Sequence, residues 1–230
     1  MNRTLVIMAK APRLGSVKTR LAESLPLPAV TELYRCLLND TIALAQSLDP
    51  AEVGIMCPAS DVENLSREVG ETVRVVAQTG DGLAAGLASV FTHFADLGSK
   101  RIIAFNSDSP HLPVSKLETA FDLLTTCDLV VGPTQDGGYY LVGAKVSHPG
   151  LFASNGMGTT SALEALLERA SNLELSVRTI DPFYDIDVPE DLSRLADELQ
   201  HTPWKAPRTA AWLAEWTRGL DKNRSTSGAP

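Results

Sequence analysis

Short, unbroken apolar blocks alternate with helix-spaced stretches along most of this 230-residue chain. Thr4–Ala9 is the first block and reads as a buried strand. A polar loop with Pro and Gly follows from Lys10 to Arg20. Between Pro28 and Ser47, the residues Val30, Leu33, Tyr34, Leu37, Leu38, Ile42 and Leu44 recur at helix spacing, with Pro28 suited to a first turn. Strands are expected at Glu52–Cys57, Thr72–Ala77, Arg101–Asn106 and Asp128–Val131. Helices are expected at Asp61–Val69 (with Asp61 as N-cap), Leu83–Leu97 and Val114–Leu124. This alternation predicts a parallel sheet covered by helices on both faces. The rhythm changes at Gln135–Ala144, where a glycine turn runs straight into a strand-like block, and an antiparallel excursion is expected there. A helix at Thr160–Ala170, a strand at Leu175–Ile180, a helix at Pro189–Gln200 and a short helix at Ala210–Trp216 complete the pattern. The prediction is one three-layer α/β/α domain over residues 1–220, mostly parallel with one antiparallel excursion. A polar, Ser/Gly-rich tail at 221–230 is expected to be disordered.

Composition narrows the function classes. The chain is 44% hydrophobic and 21% charged, ordinary for a soluble globular protein, and its net charge is −8. That charge argues against binding nucleic acid through the whole surface, but leaves room for a single nucleotide in a local basic pocket. The three cysteines, Cys36, Cys57 and Cys127, are odd in number and lack zinc-site spacing, which predicts buried thiols in a reducing compartment. A catalytic thiol is the lesser alternative. No segment approaches the length of a membrane span, and the first apolar run is too short for a signal peptide. A cytoplasmic protein is expected.

Candidate chemistry gathers where strands end, because ligands of open parallel sheets bind beyond the carboxyl ends of the strands. The strand Arg101–Asn106 stops at Ser107-Asp108-Ser109-Pro110. Asp108 is either a metal ligand or, with Ser107 and Ser109, a cap for the helix after Pro110. The first loop carries four cations, Lys10, Arg13, Lys18 and Arg20, and Gly15 allows close backbone approach, as an anion site requires. Its spacing is neither Walker A nor GxGxxG. Gly80 and Asp81, after the third strand, either contact a nucleotide or form a tight turn. Asp136-Gly137-Gly138 either approaches a ligand closely or makes a plain hairpin, and Asp136 is the candidate general base. Asp185 and Asp187 point the same way from an extended segment, as metal ligands do, unless Asp187 caps the helix at Pro189. His111, beside Asp108, is a base, a ligand or a surface loop residue. Trp204, Trp212 and Trp216 are candidates for a docking edge.

In order, Ala9-Lys-Ala-Pro-Arg-Leu-Gly-Ser-Val-Lys-Thr-Arg-Leu21, Ser107-Asp-Ser-Pro110, Gly132-Pro-Thr-Gln-Asp-Gly-Gly-Tyr-Tyr-Leu-Val-Gly143 and Asp185-Ile-Asp-Val-Pro-Glu-Asp-Leu192 resemble the bacterial DUF2064 family. This is a GT-A-type glycosyltransferase family, also called the arsenosugar-biosynthesis or radical-SAM/selenodomain-associated transferase family. The chain is more distantly similar to 2-phospho-lactate and molybdenum-cofactor guanylyltransferases. The resemblance implies a nucleotide-diphospho-sugar transferase fold, with Lys18 and Arg20 on phosphates and Asp108, Asp185 and Asp187 on Mg²⁺ or Mn²⁺. Lys10, Arg13, Gly15, Gly80, Asp81, Gly137 and Gly138 complete the expected nucleotide site, and Asp136 with Lys18 the catalytic pair. Two departures stand out: the Gln78-Thr-Gly-Asp segment lacks the family's following Arg, and His111 replaces a common Asp. The expected activity is transfer of a sugar from a nucleotide sugar to a small acceptor. The alternatives are nucleotidyl transfer from a nucleoside triphosphate to a small phosphorylated acceptor, and a non-catalytic nucleotide-binding module. No nucleic-acid or membrane partner is expected.

Overall fold

The computed structural model describes residues 3–49, 51–152 and 161–226. The apolar blocks form strands β1 (Arg3–Met8), β2 (Glu52–Cys57), β3 (Arg74–Ala77), β4 (Arg101–Asn106), β5 (Leu129–Pro133), β6 (Tyr139–Ala144) and β7 (Val177–Thr179). Helices α1 (Leu27–Gln46), α2 (Val62–Val69), α3 (Gly82–Asp96), α4 (Val114–Leu123), α5 (Ala162–Asn172), α6 (Pro189–His201) and α7 (Pro207–Thr226) lie between and after them.

These strands make one sheet in the order β3-β2-β1-β4-β6-β5-β7. All pairings are parallel except those of β6, which runs antiparallel to both β4 and β5. The antiparallel excursion is therefore where the glycine turn predicts it. Two glycines make this insertion possible. A Cβ on Gly132 would lie 2.6 Å from the Tyr140 ring, and one on Gly143 would lie 3.0 Å from Ile103. Without side chains there, the Tyr140 ring packs against Gly132 of β5 and donates its hydroxyl to the Asp181 carbonyl at 3.2 Å.

Alternation along the strands supplies a core on each face. Leu5, Ile7, Ile103 and Phe105 face Leu38 of α1 and Phe121 of α4, while Val6, Ile102 and Val142 face Phe91 and Phe94 of α3 and Leu166 of α5. A third cluster joins Leu33 and Leu37 of α1 to Tyr184, Ile186, Leu195 and Leu213, and so binds the C-terminal helices to the sheet end. Buried Asp40 of α1 accepts the Thr209 backbone N–H at 2.8 Å, satisfying one of the orphan donors at the start of α7.

Some boundaries differ from expectation. The helix after Pro110 begins only at Val114, with Pro113 before it, so Ser107, Asp108 and Ser109 cap nothing. The predicted helix Ala210–Trp216 runs from Pro207 to Thr226, so residues 221–226 of the expected disordered tail are helical; 227–230 lie outside the described residues. Thr160, the expected start of a helix, also lies outside them.

Candidate active site

β1 and β4 are adjacent, but their connections leave in opposite directions across the sheet, with β2 on one side and β6 on the other. The chain separates above their carboxyl ends and leaves a crevice there. A cavity of about 660 Å³ opens at this point, lined by Lys10, Ser16, Lys18, Thr19 and Arg20 of the first loop and by Asp108 and Asp187. Met8, Met56, Pro58, Gln78, Gly82 and Leu83 line its other wall.

Its centre is a charge cluster. The Lys18 ammonium is bonded to Asp108 Oδ2 and lies 3.7 Å from Asp187 Oδ1. Arg20 holds the other oxygen of Asp187, Oδ2, at 2.7 Å. Lys18 is nearly enclosed, its side chain 6% exposed. Burial alone would lower its pKa, but Asp108 and then Asp187 and Asp185 outweigh it and raise the pKa above its ordinary value. Asp185 is shifted the other way for a carboxyl, up to about 6, by burial and by Asp108. Lys18 also has φ +49°, a left-handed backbone conformation uncommon for a residue with a Cβ.

Backbone ties set these groups in place. The Ile186 N–H donates to the Asp108 carbonyl at 3.2 Å, and the Ser109 hydroxyl donates to the Tyr184 carbonyl at 3.1 Å. The segment carrying Asp185 and Asp187 is thus bound to the turn carrying Asp108. The Tyr34 hydroxyl accepts the Lys10 N–H at 3.2 Å and lies 3.0 Å from Ser107 Oγ, joining the first loop to the same turn. Asp187 caps no helix: Asp191 accepts the Asp187 and Val188 amides at 3.0 and 2.9 Å, leaving the Asp187 carboxylate to the cations.

The structure brings Lys10, Lys18, Arg20, Asp108 and Asp187 together, with Asp185 beside them. Other expected members lie elsewhere. Arg13 is paired with buried Asp61, whose other oxygen accepts the Ala11 N–H, so this cation anchors the loop's start. Asp61 is consequently no side-chain cap of α2. Gly15, at φ +72°, shapes the loop without lining the cavity. Gly80 and exposed Asp81 form a tight turn; Gln78 Nε2 donates to the Gly80 and Gly82 carbonyls, and Gly82 is the turn residue that lines the cavity. Asp136 is exposed, outside the cavity lining, and accepts the Thr134 hydroxyl at 2.5 Å and the Gly138 N–H at 3.3 Å. Asp136 thus bonds its own neighbours, while the Gly137 carbonyl accepts the Leu163 N–H at 3.0 Å. His111 is buried rather than a surface residue, packed 4.8 and 4.7 Å from the Phe183 and Tyr184 rings. Burial pushes the Cys36 and Cys57 thiols up to about 11, which removes the thiolate a catalytic cysteine needs.

Sequence reasoning missed Tyr34, Gln78, Met8 and Met56. For Tyr34 the signal is a hydroxyl on an otherwise apolar helix face, and for Gln78 its place at the head of the Gln78-Thr-Gly-Asp segment; Met8 and Met56 sit within strands and carry none.

Among the described residues, no three His, Cys, Asp or Glu side chains form a ready-made metal site. The expected Asp108, Asp185 and Asp187 triad is instead arranged about an ammonium. The donor set still fits a hard divalent cation. Its ligands are carboxylate oxygens, and Asp108 Oδ1 is buried with no hydrogen-bond partner. A second hollow of about 690 Å³ lies between α6 and α7, where 71% exposed Trp204 meets Leu199, Ala210 and Leu213. It is mostly apolar and holds none of the clustered groups. Trp212 and Trp216 stack on each other, 5.4 Å apart, outside the lining of this hollow.

The fold is shared with solved proteins. A nucleotide-diphospho-sugar transferase, so assigned, from Desulfovibrio desulfuricans G20 is 26% identical, with TM-score 0.85 over 93% of this chain and 94% of that one. A nucleotidyl transferase from Methanothermobacter thermautotrophicus is 18% identical, with TM-score 0.57 over 88% of this chain and 100% of that one. The 4-diphosphocytidyl-2C-methyl-D-erythritol synthase of Anaerococcus prevotii DSM 20548 is 12% identical, with TM-score 0.55 over 86% and 95%. No curated protein matches the sequence. A family model, "Uncharacterized protein conserved in bacteria (DUF2064)", matches residues 41–159, slightly more than half of the chain. By that match, on the fold of nucleotide-diphospho-sugar transferases, the chain belongs to the DUF2064 family.

Proposed function

We propose that this protein is a transferase acting on a nucleotide-activated donor, with a nucleotide sugar as donor and a small molecule as acceptor. The observation that carries the proposal is the Lys18–Asp108–Asp187–Arg20 cluster on the wall of a cavity at the sheet's switch point. Lys10, Lys18 and Arg20 hold the diphosphate and stabilise the charge that grows on it as the bond to the sugar breaks. At about 4 Å each such contact is worth roughly 4 kcal/mol at an effective dielectric of 20. Only the part that strengthens in the transition state speeds the reaction. Met8 and Met56 give the base an adaptable apolar wall. Asp108 and Asp187, with Asp185 near them, would hold Mg²⁺ or Mn²⁺, which when bound supplies a Lewis acid for the phosphate oxygens. Asp136 is not among the residues lining this cavity, and no general base is assigned.

Nucleotidyl transfer is the second reading, favoured by the gathering of Lys10, Lys18 and Arg20 on one cavity wall, which suits a triphosphate slightly better than a nucleotide sugar. No helix of the described residues is long and apolar enough to cross a membrane, and the free cysteines fit the reducing cytoplasm. The test is incubation with nucleotide sugars and with nucleoside triphosphates, each with and without Mn²⁺. Nucleoside diphosphate released from a nucleotide sugar supports the first reading, and pyrophosphate from a triphosphate replaces it with the second. If the Asp108→Asn variant retains full metal-dependent nucleotide binding, the role given to this carboxylate is wrong.

A further inference from the structure

We infer that Lys18 occupies the cation position of this site and is handed to the donor's phosphates when a divalent ion enters, so that metal and nucleotide bind as a coupled pair. The inference rests on the metal-dependent reading above and adds to it a coupling between the two ligands. An ion held by Asp108 and Asp187 would sit against the same two carboxylates that Lys18 now faces, Asp108 through Oδ2, to which the ammonium is bonded, and Asp187 through Oδ1, 3.7 Å away. Arg20 already holds the remaining oxygen of Asp187. Ion and ammonium are therefore competitors for one place.

Lys18 fills that place incompletely, because Asp108 Oδ1 stays buried without a donor. Its left-handed backbone is a conformation that persists only where the surroundings over-determine it, and such outliers cluster at switching sites. The cavity offers the ammonium one other destination, the space beside Lys10, Ser16, Thr19 and Arg20 where phosphates would sit. An ion arriving alone takes Asp108 and Asp187 from a buried ammonium and leaves it only Asp185 nearby. Phosphates that attract Lys18 without an ion strip the carboxylates of their cation. Each ligand therefore helps the other, by the same factor in both directions.

The experiment titrates the intact protein with Mn²⁺ alone, following the free ion by electron paramagnetic resonance. Wild type, Asp108→Asn, Lys18→Met and Lys18→Met/Asp108→Asn are compared, with circular dichroism checking that each is folded. Lys18→Met should bind Mn²⁺ roughly tenfold tighter than wild type, within the usual range of coupling between two ligands. The double variant should lose this gain. Equal, Asp108-dependent binding by wild type and Lys18→Met overturns the handover and leaves the metal reading standing. Binding that does not depend on Asp108 in either protein overturns both. A measurement on the wild type covers the case in which the variants fail to fold: mass spectrometry of Lys18 after amine labelling. Saturating Mn²⁺ should raise labelling at Lys18, and unchanged labelling overturns the handover.

Discussion

His111 is a buried base with nothing to hold its charge, and replacing it should change how stability responds to acid. Both ring nitrogens lack hydrogen-bond partners. Burial, then the charges of Lys205 and Arg194, lower its pKa to about 3 from 6.5. Glu198 Oε2, 4.0 Å from Nε2, is the nearby counter-charge, but Arg194 already draws on that carboxylate at 3.4 Å. The unfolded chain therefore takes up a proton at His111 below pH 6.5 while the native state stays neutral. Its contribution is fully present above pH 6.5 and is lost as the pH falls from there towards 3. At about 1.36 kcal/mol per pH unit, the loss is about 2 kcal/mol by pH 5 and about 3 kcal/mol by pH 4. His111→Phe keeps the aromatic packing against Phe183 and Tyr184 and removes the proton site. Urea denaturation of both proteins from pH 4.5 to 8 isolates this residue, because the other titrating groups cancel in the difference. The variant should match or exceed wild type at pH 7, since two unsatisfied nitrogens are gone, and should gain on it steadily below pH 6.5. Parallel stability curves would refute the reasoning and show that Glu198 carries the imidazolium in the native state.

Other perturbations test the scaffold and the ties between site elements. Gly132→Ala drives a Cβ to 2.6 Å from the Tyr140 ring and should cost about 1–3 kcal/mol in thermal unfolding, with Tyr140→Leu restoring part of it. Asp40→Ala removes the buried acceptor of the Thr209 N–H and should cost about 2 kcal/mol, measured by chemical denaturation. Tyr34→Phe leaves the buried helix face intact but releases the Lys10 loop from Ser107. It should cost about 1 kcal/mol of stability and raise the KM for the donor, which steady-state kinetics would detect.

The strands and helices were legible because apolar periodicity is a local property, and the change of rhythm at Gln135 marked β6 because a two-glycine turn cannot carry a crossover helix. Lys18, Arg20, Asp108 and Asp187 were legible as charges placed where strands end. Arg13 and Asp136 had the same local signature but other fates. Asp61, far along the chain, claims Arg13, while Thr134 and Gly138 satisfy Asp136 within its own turn. Asp187 reads equally as ligand or cap in the sequence, and it is Asp191, four residues on, that fills the capping role. His111 looked like a loop residue because burial by Phe183 and Tyr184 comes from a segment some seventy residues later, and pattern reading within a window has no access to that.

The charge cluster also says when in folding the protein gains its site. Its longest closing bond joins Arg20 to Asp187, 167 positions apart. Contacts of such span close the largest loops and form late. A partly folded chain with β1, β2 and β4 already paired would have the sheet but not the cavity wall bearing Asp187. Nucleotide would then bind only chains that have finished folding and would withdraw them from the pool of intermediates, acting as a late thermodynamic latch on the whole domain.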